Sequence, residues 1–130
     1  MQRNKYLDDL GIKQKNYGTN FCAEDDSRYS YWKEEQEMYG FDSRETWCLD
    51  RIFIEWLYSH CMMYKEYAGV DLTYHKFEYN GKTYTQIEAI DYIIECTKAY
   101  LIDNNAFDDT YKKVQDAIYL WAEILPAMWW

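Results

Sequence analysis

A chain of 130 residues can bury one ordinary core but not two large ones. Apolar types make up 48% and charged types 28%, which excludes the low-hydrophobicity, high-charge composition of a disordered chain. Fourteen basic against 23 acidic side chains leave a formal charge of -9; such a field repels phosphate backbones and favours cationic partners, so direct nucleic-acid binding is not expected.

The charge is unevenly divided. Residues 1–41 hold six basic and eight acidic side chains, and residues 42–130 hold eight and fifteen, so the acidic excess belongs mainly to the later segment. Fifteen Tyr, six Trp and five Phe amount to 20%, and side chains of this size dominate core and interface energetics.

Residues 1–23 read as an N-terminal extension. Tyr6, Leu7 and Leu10 form a short turn-like or 3₁₀ piece, followed by loop around Gly11, Asn16, Gly18 and Asn20. Met1 to Leu10 lacks the apolar core of a signal peptide, and no run approaches the apolar length of a membrane span, so a cytoplasmic protein without membrane contact is expected. Cys22, Cys48, Cys61 and Cys96 form no C-x-x-C pair and are expected to be free, buried thiols.

From residue 24 to 39 a charged segment places Tyr29, Trp32, Gln36 and Tyr39 on one helical face, closed by Gly40. Asp42-Ser43-Arg44-Glu45 matches a capping box and opens a second helix reaching Ala68 or Gly69. Its stripe is Leu49, Phe53, Trp56, Leu57, Cys61 and Tyr64, broadened by Cys48, Ile52 and Met63. A helix apolar around so much of its girth is expected to be central. At residues 72–84 the period changes. Asn80-Gly81 signals a hairpin that sets Tyr79 opposite Lys82 and Phe77 opposite Tyr84, with one face against helices.

Thr85-Gln86-Ile87-Glu88 is a second capping box and starts a helix carrying Ile87, Ile90, Ile94, Thr97 and Leu101, ended by Asp103-Asn104-Asn105. The last helix, about Asp108 to Leu125, carries Tyr111, Val114, Ile118, Trp121 and Leu125 and stops at Pro126, the only proline. The fold class expected is mainly α: a compact bundle of about four helices with one small β-hairpin, residues 24–130 forming a single domain.

Catalytic signatures are scarce. His60 and His75 are the only histidines, and no serine or cysteine sits in a strand-to-helix elbow. His60 and Cys61 point about 100° apart on a helix and cannot simply chelate one metal. No glycine-rich phosphate loop exists, so no catalytic residue, cofactor or metal is assigned. Glu34, Glu35 and Glu37 share one helix, while Glu88, Asp91 and Glu95 share one helical face that could hold Mg²⁺. Glu88 and Asp91 resemble the E-x-x-D half of all-helical nucleotide pyrophosphohydrolases. The E-E-x-x-E half is missing, because the run here is Glu34-Glu35-Gln36-Glu37-Met38, and a solvated acidic face is the preferred reading. Trp129 and Trp130 have two readings, rings capping the core or exposed anchors for a partner, with core packing preferred.

Three stretches resemble a group of small uncharacterised proteins encoded by phages and mobile elements of gut Firmicutes: Tyr39-Gly40-Phe41-Asp42-Ser43-Arg44-Glu45-Thr46-Trp47 through Tyr58, Tyr74 to Gly81, and Ile124-Leu125-Pro126-Ala127-Met128-Trp129-Trp130. The likeness spans roughly residues 39 to 130 and implies origin more than activity, since that group brings no catalytic residues to carry over. The leading expectation is a phage- or mobile-element protein acting in the host cytoplasm. It would bind a host protein with a basic surface, such as a defence nuclease that it inhibits in the manner of an anti-CRISPR protein. The expected acidic face comprises Glu88, Asp91, Glu95, Asp108, Asp109 and Asp116, with Trp129 and Trp130 as aromatic anchors. The alternatives are a structural or assembly homodimer and a metal-dependent nucleotide hydrolase.

Overall fold

The computed structural model describes residues 4–12, 24–103 and 109–130. Among them are helices α1 (Lys5–Asp9), α2 (Tyr29–Tyr39), α3 (Leu49–Tyr67), α4 (Gln86–Asp103) and α5 (Asp109–Ile124), and a hairpin of strands β1 (Lys76–Tyr79) and β2 (Lys82–Thr85). Short 3₁₀ turns occupy Ser43–Thr46 and Leu125–Ala127. The protein is mainly helical, with four longer helices and one small antiparallel hairpin, as the periodicity implies. Contacts gather into two compact units, Met1–Trp56 and Leu57–Trp130.

In the first unit, α1 is a single α-helical turn and not the 3₁₀ piece expected. Asn4 caps it, its side chain accepting from the Leu7 amide at 3.2 Å, and Leu7 is buried. Helix α2 begins at Tyr29 and not at residue 24. The Asp26 carboxylate accepts from the amide of Arg28 at 2.8 Å and from its guanidinium at 3.2 Å, a local turn that competes with helix. Gly40 ends α2 at φ 83°, its N–H bonded to the Gln36 carbonyl, the left-handed cap that glycine permits.

Asp42 does not make the capping box expected of it. Its side chain accepts from the amide of Arg44, two residues on, and from the Arg44 guanidinium, while Glu45 N–H bonds the Asp42 carbonyl. The result is a 3₁₀ turn, and α3 starts only at Leu49. The Asp42 side chain is fully buried, held by Gln36 at 2.6 Å and Arg44 at 2.8 and 2.9 Å. Trp32, also buried, has the Arg44 and Arg28 guanidinium groups over its ring at 4.3 and 4.5 Å and meets the Trp47 ring edge-on at 6.1 Å. This unit is organised by a tryptophan and a carboxylate more than by aliphatic packing.

The second unit holds a conventional core. Helix α4 packs on α5 through Ala89, Ile90, Ile93, Ala117, Leu120 and Ile124, all buried together with Leu57 and Cys61. On α5 the buried face is Val114, Ala117, Leu120 and Ile124, so the sequence expectation of Ile118, Trp121 and Leu125 lies one position too late. The hairpin has the expected register, Tyr79 opposite Lys82 and Phe77 opposite Tyr84. Asn80 and Gly81 take φ 53° and 76°, the signs that a type I′ turn needs. Its strands lie against α4 and α5, with Tyr84 buried.

The Thr85–Glu88 capping box is present in both directions: Thr85 N–H donates to Glu88 Oε1 at 3.0 Å and Glu88 N–H to Thr85 Oγ1 at 3.3 Å. The next amides are bonded as well, Gln86 N–H to the His75 carbonyl and Ile87 N–H to that of Leu72. Helix α4 therefore begins with its free donors already used.

Candidate functional site

Sequence reasoning placed six apolar residues on one core-facing stripe of α3. The structure divides them. Leu57 and Cys61 are buried, Tyr64 is half-buried, and Leu49, Phe53 and Trp56 are exposed, while Ile54 and Tyr58, outside that expected stripe, join the buried set. The buried set steps by three, one and three residues, one true helical face, and the exposed set steps by four and three on another. Within the first unit, Phe53 and Trp56 stack at 6.4 Å with an interplanar angle of 12°. Trp47, just before α3, is exposed as well. Apolar residues exposed singly are ordinary, but stacked rings on a helix face are the kind of surface that binds.

At the chain's last residues the preferred reading of Trp129 and Trp130 as core caps is reversed, since they are 70% and 65% exposed. The backbone supplies the reason. Tyr64 OH donates to the Trp129 carbonyl at 3.3 Å and Met128 lies against the core, so the main chain is anchored while both rings face outward. Four of the six tryptophans, at 47, 56, 129 and 130, are exposed.

The expected acidic face is only partly assembled. Glu88, Asp91 and Glu95 are exposed on α4, but Glu88 is turned back onto Thr85 and Asp91 pairs with Lys65 at 2.6 Å. Lys98 continues the same row at helical spacing. The Thr85 amide and then its hydroxyl hold the Glu88 carboxyl below its ordinary range. On α5 Asp109 is exposed, Lys112 and Lys113 intervene, and Asp116 accepts from Tyr79 OH at 3.4 Å. Asp108 lies outside the described residues. Negative charge is abundant here, yet interleaved with lysine.

Among the described residues, the cysteines and histidines form no metal-type cluster. Burial pushes the Cys61 thiol up to about 12 and, with lesser contributions, raises that of Cys96; thiols so shifted are poor nucleophiles at neutral pH. Cys48 is free but exposed, against the expectation of burial, and Cys22 lies outside the described residues. Among the described residues no three His, Cys, Asp or Glu side chains gather as a metal site.

One feature escaped sequence reading altogether. Val70, Asp71, Tyr74, His75, Gln86, Ala127 and Trp129 surround a cavity of about 180 Å³. The sequence presents Gln86 only as an interior position of a capping box, and no spacing rule connects it with Asp71 or Trp129. Comparison with family models, curated proteins and solved structures finds no match to this chain.

Proposed function

We propose that this chain is a protein-binding domain that docks onto a partner with a basic surface, using exposed aromatic rings as anchors. The observation that carries the reading is the exposure of four of six tryptophans. Solvated Trp surface is unfavourable, and Trp is enriched where interfaces concentrate their binding energy. The formal charge of -9 supplies long-range attraction toward a cationic surface, while buried rings supply the short-range affinity. Because the carboxylates of α4 and α5 alternate with lysines, the reading rests on net field plus rings and not on a continuous acidic patch.

A nuclease channel is one basic surface of this kind, so host-defence nucleases are the first partner class to test. Wild-type protein immobilised in host lysate should retain a basic partner at low ionic strength and release it as salt rises from about 0.05 to about 0.5 M. A Phe53→Ser, Trp56→Ser double variant should lose it at every salt concentration. If that partner is a nuclease, the wild-type chain should slow its cleavage. Equal retention by variant and wild type, or retention indifferent to salt, would overturn the reading. The Phe53 and Trp56 stack favours one second reading, self-pairing of this helix face, which light scattering over a concentration series separates from a monomer.

A further inference from the structure

The cavity in the second unit has the chemistry of a receptor for one organic cation. Its base is Gln86, 1% exposed. The side-chain Nε2 is turned inward and donates to the Ala127 carbonyl at 3.2 Å and to Tyr64 OH at 3.3 Å, with Met128 S at 3.3 Å. This fixes the amide's orientation, because a backbone carbonyl can only accept. The amide oxygen receives no hydrogen bond and keeps a small contact with solvent, since among the described residues no fully buried polar side-chain atom lacks a partner. It is an acceptor in want of a donor beside an open cavity.

Two further observations define that donor. Asp71 lines the cavity; its Oδ1 accepts from the Thr73 hydroxyl at 2.6 Å and the Thr73 amide at 2.9 Å, leaving Oδ2 uncommitted. Those bonds, the hydroxyl's first, hold the Asp71 carboxyl below its ordinary range, so it is anionic at neutral pH. The remaining wall is aromatic: Trp129, Tyr74 and His75, the last two meeting edge-on at 5.1 Å. Ring faces, a carboxylate and an amide oxygen all attract positive charge and hydrogen-bond donors. A volume near 180 Å³ is below the roughly 300–1,000 Å³ of pockets for drug-sized ligands and suits a single side chain.

We propose that this cavity is a receptor for a lysine side chain of a partner protein, its methylenes lying on Trp129 and Tyr74 and its ammonium donating to Gln86 Oε1 and Asp71 Oδ2. The inference deepens the docking reading by naming the group that enters one of its surfaces. Its test needs no partner, so the two can fail separately. Full-length protein labelled with ¹⁵N is titrated with Nα-acetyl-lysine amide, with the arginine analogue, and with the neutral norleucine analogue. The lysine compound should move the Trp129 indole N–H and the Gln86 side-chain amide together, with an affinity at least about tenfold above norleucine and above that for arginine. Asp71→Asn, which keeps the acceptor for Thr73, should remove most of that preference while leaving the remaining spectrum unchanged. Equal responses to lysine and norleucine, a preference for arginine, or no movement at Trp129 and Gln86 would overturn the proposal.

Discussion

Asp42 shows how much one side chain can organise. A fully buried carboxylate is unfavourable unless its lone pairs are occupied, and here Gln36, the Arg44 guanidinium and the Arg44 amide occupy them. Burial by itself raises the carboxyl's pKa, but these bonds outweigh it and bring it below its ordinary 3.8. A carboxyl depressed by folding contributes stability that is present above its unfolded value and lost as pH falls through the folded one. Asp42→Asn should therefore lower the unfolding free energy by about 2–4 kcal/mol at neutral pH. In urea titrations the deficit should begin to shrink below about pH 4, where the unfolded chain takes up the proton first, and close only as pH falls through the lower folded value; a deficit constant with pH would refute this account. The sequence marked Asp42 as important for the wrong reason. A capping rule looks three residues ahead, whereas the donors that won lie two residues ahead and six behind.

Elements whose determinants are local were legible. The hairpin register follows from Asn80-Gly81, and the start of α4 from Thr85 and Glu88, because turn and cap chemistry are decided within four residues. Thr85→Ala removes one half of that reciprocal pair. It should lower the thermal midpoint by the equivalent of about 1 kcal/mol, a loss that calorimetry would reveal, and an unchanged midpoint would deny the cap its role. Helix α3 was not legible at the level of which face is inside. It is apolar on two faces, so periodicity established a helix but could not choose between Ile54-Leu57-Tyr58-Cys61 and Leu49-Phe53-Trp56. The same ambiguity displaced the inferred face of α5 by one residue. The cavity beside Trp129 was invisible for a related reason: its three parts are brought together by tertiary packing alone.

At the scale of the molecule, two kinds of apolar residue coexist, and substitution should tell them apart. Leu120 is fully buried in the second unit's core, so Leu120→Ala should cost about 2–5 kcal/mol in denaturant unfolding. The Phe53→Ser, Trp56→Ser double variant removes more aromatic surface, yet should cost less than Leu120→Ala because those side chains are already 37% and 46% exposed. Comparable losses in the two variants would mean that the outward rings are structural after all. The composition foretold an aromatic protein but not where its rings would go. Tyr84 and Trp32 went inward while Trp47, Trp56, Trp129 and Trp130 stayed out, a division that depends on long-range packing.

The start of α4 carries a consequence for what this protein can hold. Helix beginnings commonly serve as cradles for phosphate or sulfate because their amides point outward unclaimed. Here the carbonyls of Leu72 and His75 and the Thr85 hydroxyl have taken those amides, and the Glu88 carboxylate stands where an incoming oxyanion would settle. The chain serves as its own anion at that end, and a nucleotide tail would find the berth filled.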